Sequence, residues 1–216
     1  DTISGGDGDD ILYGYFSGSG FGMSDGGDTL NGGLGSDTLI AGSGDDTLDG
    51  GVGADILTGD GGADDYARGG STGTDTFILR LGDGGNSLTN ADTITDFQDG
   101  TDVLGLDNGL QYTDLTIAQG TGDNANDTII SSGSEYLAIL QGISASNINY
   151  MDFASMATGD QSFTGTTGDD IFIGAAGADT VTTNIGTDVI LTSSGDDVIT
   201  IDGTGNKTID GGAGTD

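Results

Sequence analysis

Every nine residues, from Gly5 onward, this chain returns to the same chemistry. The stretch Gly32–Thr58 divides into GGLGSDTLI, AGSGDDTLD and GGVGADILT, and GDGGADDYA carries the register on to Ala67. Counted backwards, the nines are MSDGGDTLN from Met23, GYFSGSGFG from Gly14 and GGDGDDILY from Gly5, with DTIS as the tail of an earlier unit. The sixth slot reads Asp1, Asp10, Ser19, Asp28, Asp37, Asp46, Asp55, Asp64. The eighth reads Ile3, Leu12, Phe21, Leu30, Leu39, Leu48, Leu57, Tyr66. After a small insertion, Gly69–Ile78 repeats the unit with Asp75 and Phe77. A period of this kind marks a solenoid, in which each unit buries its apolar residue only against its neighbours.

The slots have distinct conformational duties. Residues one to six form a turn in which Gly adopts backbone angles closed to other residues. Residues seven to nine are extended, and the eighth side chain points inward because strand side chains alternate. Two units complete one coil, so slots eighteen residues apart are expected to stack. One edge should then carry Asp10, Asp28, Asp46 and Asp64, and the other Asp1, Ser19, Asp37, Asp55 and Asp75. Stacked turns bring Asp carboxylates together with Gly-region carbonyls, an all-oxygen cage suited to Ca2+. Ser19 has no carboxylate, so a missing or weak ion is expected beside it. The competing reading of an Asp in such a turn is an Asx turn, and off-column residues such as Asp49 and Asp60 are read that way.

Composition decides between this solenoid and a disordered acidic tract. The formal net charge is −33, with Arg68, Arg80 and Lys207 the only basic residues. Acidic chains of modest hydrophobicity are commonly disordered. Here, however, Glu135 is the only Glu, Gly is abundant at 45 residues, and Asp and a large apolar residue hold two fixed columns. One large apolar residue per nine cannot offset chain entropy by itself, so ion binding must supply the rest and folding is coupled to calcium. The charge excludes nucleic acid as a partner. No apolar run is long enough to insert in a membrane.

Units such as GGLGSDTLI and GGVGADILT fit GGxGxDxUx, with U a large apolar residue, and so resemble the repeats-in-toxin (hemolysin-type) family. The resemblance implies an all-β fold, a right-handed parallel β-roll, binding several Ca2+ ions. It also implies that carbonyls of the second and fourth slots join the sixth-slot Asp. The ligand set it suggests in the first block is Gly6, Gly8, Asp10, Asp28, Gly33, Gly35, Asp37, Gly42, Gly44, Asp46, Gly51, Gly53, Asp55, Gly62, Asp64 and Asp75.

After Leu79 the schedule stops. Residues 92–106 (DTITDFQDGTDVLGL) resemble the segment that closes many rolls of this family. Period-two apolar residues follow, Leu115 with Ile117 and Tyr136 with Ala138 and Leu140, which predict antiparallel strands covering the open end of the roll. Asp92, Asp96 and Asp102 are read as part of this cap, with a ligand role as the alternative. The nines restart at Gly165 as GTTGDDIFI, GAAGADTVT, TNIGTDVIL and TSSGDDVIT, after a degenerate unit holding Gln161 and Phe163. Phe172, Val181, Ile190 and Ile199 face inward, and the candidate ligands are Gly168, Asp170, Gly177, Asp179, Asp188 and Asp197. In the next unit a one-residue insertion places Lys207 in the Asp slot. A Lys cannot ligate Ca2+, but its ammonium either neutralises the neighbouring carboxylates in place of an ion or lies solvated on a shifted turn. The expected organisation is a first roll over 1–78, a β-rich capping segment over 79–158 and a second roll over 159–216 that ends mid-repeat, a piece of a longer solenoid.

With no His and no Cys there is no Ser-His or Cys-His nucleophile pair, so a non-catalytic chain is expected. The family resemblance implies type I export from a bacterium, with an export signal beyond Asp216, and folding in millimolar extracellular calcium. Two functional readings stay open. One is a structural module of a large secreted surface protein (adhesin, S-layer or filament), with self-association or other cell-surface proteins as partners. The other is the folding and secretion module of an exported protease, lipase or epimerase. A weaker third is ice or carbohydrate binding through Thr29, Thr38 and Thr47, although Thr is also what a strand surface prefers.

Overall fold

A computed structural model describes residues 2–14, 27–59, 66–70 and 72–216, and for 66–68 the backbone alone. Ser19, Gly62 and Asp64, on which expectations above fall, lie outside the described residues, as do Asp1 and Asp60. The chain divides into two compact units, one of residues 1–105 with 114–152 and the other of residues 106–113 with 153–216.

The first unit is a two-sheet roll. Its strands are β1 (Thr2–Asp7), β2 (Ile11–Tyr13), β3 (Thr29–Leu34), β4 (Thr38–Ile40), β5 (Thr47–Val52), β6 (Ile56–Thr58), β7 (Tyr66–Arg68), β8 (Thr76–Leu79), β9 (Asp92–Ile94), β10 (Val103–Leu106), β11 (Leu115–Gln119), β12 (Thr128–Ser132) and β13 (Glu135–Leu140). One sheet runs β1-β3-β5-β7-β9-β13-β12-β11; the other contains β2, β4, β6, β8 and β10 in that order. Successive strands thus alternate between sheets and pair in parallel with the strand one coil on. The eighth-slot side chains fill the space between: Leu12, Leu30, Leu39, Leu48, Leu57 and Phe77 are each at most 4% exposed. At the start of the roll their seventh- and ninth-slot neighbours face outward, Ile11 at 65% and Tyr13 at 49% exposed, whereas ninth-slot Thr58 and Ile78 further along are buried. Period-two alternation therefore survives even in strands of three residues.

The stacking partners differ from a uniform count of eighteen. From β3 to β5 the step is as expected, Leu30 opposite Leu48 and Gly33 opposite Gly51. At the start, however, Ile3 lies opposite Leu30 and Leu12 opposite Leu39, so Asp10 shares an edge with Asp37 and Asp55 rather than with Asp28 and Asp46. That step spans 27 residues, one unit more than the eighteen from β3 to β5, and the step from β7 to β9 is also 27. A second slip occurs at β7, where Thr47 pairs with Tyr66 and Leu48 with Ala67. In the backbone register Leu48 is therefore followed by Ala67, not by Tyr66. In both places the residue count between paired strands changes while the strands on either side stay in parallel register.

Beyond β9 the pattern becomes antiparallel. Strand β13 pairs in parallel with β9, then β12 with β13 and β11 with β12 run antiparallel. These strands prolong one sheet of the roll. The predicted alternation at Tyr136, Ala138 and Leu140 is too simple, because Leu137, Ala138, Ile139 and Leu140 are all buried. Ile139 and Ile129 pack with Ala91, Leu88 and Tyr136 in a separate small core. The preceding segment reaches this face, with Gly85 bridged to Tyr136 and the Glu135 Oε1 accepting the Gly82 N–H at 2.7 Å. A strand covered on both faces reads as a continuous apolar run.

The second unit holds β14 (Phe153–Ser155), β15 (Ser162–Thr164), β16 (Ile171–Ile173), β17 (Thr180–Thr182), β18 (Asp188–Leu191), β19 (Val198–Thr200) and β20 (Lys207–Asp210). Its coils form the parallel sheets β15-β17-β19 and β16-β18-β20. The step is eighteen residues except the last, where Asp188 pairs with Lys207 and Ile190 with Ile209. Phe172, Val181 and Ile190 are the core, with Phe163 and Ile199 half-buried against them, as the inward column predicts. Phe163 stacks on Phe172 with ring centroids 5.0 Å apart.

Candidate metal centre

The sixth-slot carboxylates form ladders along the edges of the rolls. In each step, one carboxylate oxygen accepts the backbone N–H of the sixth-slot residue one coil earlier. On one edge of the first roll the Asp10 N–H donates to Asp37 Oδ1 at 2.8 Å, Asp37 to Asp55 at 2.8 Å, Asp55 to Asp75 at 3.0 Å and Asp75 to Asp102 at 3.2 Å. On the other edge the Asp28 N–H donates to Asp46 Oδ1 at 2.7 Å. The same carboxyl-bearing residues offer their carbonyls to the seventh-slot N–H of the next coil, as Asp37 does to Ile56 at 2.9 Å. Each Asp is thus fixed by backbone on two sides before any ligand is considered.

The second oxygen of these carboxylates is different. Oδ2 of Asp10, Asp37, Asp55 and Asp75 is buried and has no hydrogen-bond partner. Charges about 4.8 Å apart, the spacing of neighbouring strands, repel by roughly 3–4 kcal/mol at an effective dielectric of about 20. Buried charges in a native protein are paired or coordinate metals, so a bare column of them calls for cations. The titration of these groups carries the same mark. Burial, helped by the charges of Asp102, Asp55 and Asp96 and opposed by the Asp55 N–H, pushes Asp75 up to about 6. Burial also raises Asp55, with Asp37 and Asp49 adding repulsion and the Asp37 N–H working against it.

Carbonyls complete the cradle. The second-slot Gly33 and Gly51 have φ of 113° and 102°, and the fourth-slot Gly35 and Gly53 have 129° and 148°. A Cβ on Gly51 would strike the Gly33 carbonyl oxygen, and one on Gly53 the Gly35 oxygen. Second- and fourth-slot carbonyls therefore stack in two columns beside the carboxylates, and only Gly lets them approach so closely. Gly6 and Gly8 begin these columns. Gly42 and Gly44, with Asp46, repeat the same backbone on the other edge, with φ of 109° and 148°. Among the described residues no three carboxylates converge on one point. The donor set is instead one carboxylate per turn plus neutral carbonyls, and hard oxygen ligands of this kind fit Ca2+. The residues present thus fit the ion.

Asp92, Asp96 and Asp102 show how the ladder ends. Asp96 accepts the Gly69 and Gly70 N–H groups, both at 3.0 Å. Asp102 takes the Asp75 N–H on one oxygen and the Gln98 N–H at 2.8 Å on the other. Both thus bond to backbone, as capping groups do, while Asp92 is buried. Sequence reasoning missed that Asp102 continues the Asp10–Asp37–Asp55–Asp75 column. Asp102 falls three nines after Asp75, but the sixth slots between them, Gly84 and Thr93, carry no carboxylate to signal it.

In the second roll the Gln161, Asp179 and Asp197 N–H groups donate to Asp179, Asp197 and Asp216 at 2.8, 2.7 and 3.2 Å. On the opposite edge the Asp170 N–H donates to Asp188 Oδ1 at 3.1 Å. The drifted turns survive: Ser193 occupies a second slot with φ of 73°, and Gly186 and Gly195 keep the fourth. Gly168 and Gly177 carbonyls lie beneath Gly186 and Gly195 as in the first roll. Some carboxylates are already satisfied here, Asp170 Oδ2 by the Thr166 N–H at 2.7 Å and Asp179 Oδ2 by the Ala175 N–H at 3.1 Å. Asp197 Oδ2 is buried without a partner. Off-column Asp residues hold turns together, Asp9 accepting from Ser36 and Asp169 from Thr187 at 2.9 and 2.7 Å.

The ladder changes at Lys207. The Asp188 N–H, with no carboxylate opposite, turns to the Asn206 carbonyl at 3.0 Å. The Lys207 ammonium lies 3.0 Å from Asp188 Oδ2. Burial acts to raise the Asp188 carboxyl, but the Lys207 hydrogen bond and the Asp170 N–H outweigh it and hold the group below its ordinary range. With its side chain 7% exposed, Lys207 is not a solvated lysine.

No curated protein matches this chain. Solution structures of two repeat subunits of the mannuronan C5-epimerase of Azotobacter vinelandii are similar to it. One is 26% identical over 69% of this chain and 80% of that one, at a TM-score of 0.28. The second is 27% identical over 71% and 91%, at 0.27. The RTX calcium-binding nonapeptide repeat (4 copies) matches residues 1–16, 24–57, 31–66, 44–76 and 159–199. These matches cover about half of the sequence and fall on both rolls, and the chain therefore belongs to the family of RTX calcium-binding nonapeptide repeats.

Proposed function

We propose that this chain is a calcium-binding structural module of a large secreted bacterial surface protein (adhesin, S-layer or filament), exported by a type I system and folded by calcium outside the cell. The observation that carries the calcium part is the column of buried, unpartnered Oδ2 atoms at Asp10, Asp37, Asp55 and Asp75. In that reading the sixth-slot Asp residues, with the second- and fourth-slot Gly carbonyls beside them, are the ligands of several ions. The net charge of −33 keeps the chain extended by self-repulsion where calcium is scarce. Extracellular modules bind calcium at about 10⁻⁴–10⁻³ M, which matches folding outside the cell.

The surface-protein part is supported by repeat order. A second set of coils follows the antiparallel strands β11–β13, so the chain is built to continue past its cap. No catalytic role is assigned, because the carboxylates are held in structural ladders. Light scattering across a calcium titration tests the proposal. Mass that grows in the same step as the β signal supports an assembling surface module. A chain that folds on calcium yet stays monomeric at every concentration would point instead to the folding module of an exported enzyme.

A further inference from the structure

The edge of the second roll that ends in Lys207 holds an arrangement found at no other sixth slot among the described residues. Elsewhere that slot holds Asp, or Gln161 in the opening unit, and one Asp oxygen accepts the N–H of the preceding coil. Asp188 obeys this rule through Oδ1. Its Oδ2, the oxygen left bare at Asp37 and Asp55, faces the Lys207 ammonium at 3.0 Å. The same Nζ donates to the Gly186 carbonyl at 2.8 Å and to the Thr204 carbonyl at 3.4 Å. Gly186 is the fourth-slot residue of the unit that carries Asp188. The ammonium is therefore bound by a sixth-slot carboxylate and a fourth-slot carbonyl, the oxygen types that the cages elsewhere offer to an ion. Three oxygens thus lie within 3.4 Å of an ammonium that carries three N–H donors. Backbone pairing closes around it, with the Gly186 N–H on the Thr204 carbonyl and the Thr192 N–H on the Asp210 carbonyl, both at 3.0 Å.

We propose that Lys207 is a built-in cation: its ammonium takes the place of one calcium ion between the Asp188 coil and the next, so this position is closed to calcium and its charge is balanced at any calcium concentration. The proposal rests on the reading that the other cages take calcium. Its chemical basis is substitution of one cation by another in a shared oxygen set. A monovalent ammonium tethered to the strand loses no ion to chelation, whereas each neighbouring cage does.

Lys207 is the only lysine of the chain, which makes the test direct. The full chain is folded in millimolar calcium and treated with an acetylating reagent, and Lys207 modification is followed by peptide mass spectrometry. The proposal expects acetylation at least about tenfold slower than in the chelated, unfolded chain, as for a protected buried group. In parallel, native mass spectrometry counts ions on the calcium-loaded wild type and on Lys207→Asp, which restores the missing carboxylate. One additional ion in the variant supports the proposal. An unchanged ion count in a folded variant overturns it. Lys207 acetylated at the unfolded rate in a calcium-folded wild-type chain also overturns it, even if the variant fails to fold. A wild-type chain that gains neither ions nor β structure would sink the calcium reading itself, and this inference with it.

Discussion

Replacing Asp55 separates the two duties of its carboxylate. Oδ1 accepts the Asp37 N–H at 2.8 Å, and Oδ2 is the buried, unpartnered oxygen. Asp55→Asn keeps an oxygen for the Asp37 N–H but puts a neutral amide, carrying donors, where the ion would sit. Asp55→Ala removes both. The orphaned Asp37 N–H, in a residue 1% exposed, should then add about 1–3 kcal/mol of destabilisation beyond the Asn variant. That difference is a factor of roughly 5–150 in the folded-to-unfolded ratio at saturating calcium, readable by denaturant unfolding. The loss of a ligand charge common to both variants should raise the calcium concentration at half-folding by on the order of tenfold, because calcium affinity follows ligand charge. Far-UV circular dichroism across a calcium titration measures that midpoint. If Asp55→Asn titrates like the wild type, Oδ2 is not a ligand. If the Ala and Asn variants unfold together, the ladder bond contributes nothing.

Core and surface of the same strands should respond oppositely: Leu48→Ala, at a position 1% exposed, should cost about 2–5 kcal/mol, and Ile11→Ala, at 65% exposed, close to nothing. Denaturant midpoints in saturating calcium check the contrast. Acid should partly replace calcium. Asp75 sits at about 6 in the folded roll against an ordinary 3.8, so the fold holds this proton more tightly than the unfolded chain does. Its contribution to the stability of the calcium-free roll is fully present below the unfolded value and lost as pH rises through about 6. Residual β signal in chelator should therefore increase between pH 7 and pH 4, and a flat profile would contradict the burial assigned to Asp75. In calcium the same proton competes with the ion, and the half-folding concentration should rise as pH falls below about 6.

The columns were legible in the sequence because they are enforced by geometry at every coil. An eighth-slot residue that failed to be apolar, or a sixth-slot residue that failed to accept an N–H, would break two interfaces at once. Leu30, Leu39, Leu48 and Leu57 are accordingly buried as read, and Asp28, Asp37, Asp46 and Asp55 lie on the edges as read. The partners of Asp10 were not legible. A nine-residue count cannot tell a step of two units from a step of three, and only the pairing of Leu12 with Leu39 distinguishes them. The shift at Ala67 is hidden for a related reason, since Tyr66 is the better apolar residue and attracts the eighth-slot assignment. Strand β13 misled because its second face is covered by Ala91 and Leu88, residues from a segment with no periodicity of its own. Lys207 was placed correctly by counting the insertion, but its contacts with Gly186 and Thr204 needed coordinates.

The central claim is that oxygen cages between coils bind calcium and that this binding folds the chain. Far-UV circular dichroism during addition of calcium to millimolar concentration, followed by chelator, tests it most directly. A cooperative gain of β signal that chelator reverses is the predicted result. A β signal already present without calcium and indifferent to chelator would mean that the Asp columns are turn formers only, and the claim would fail.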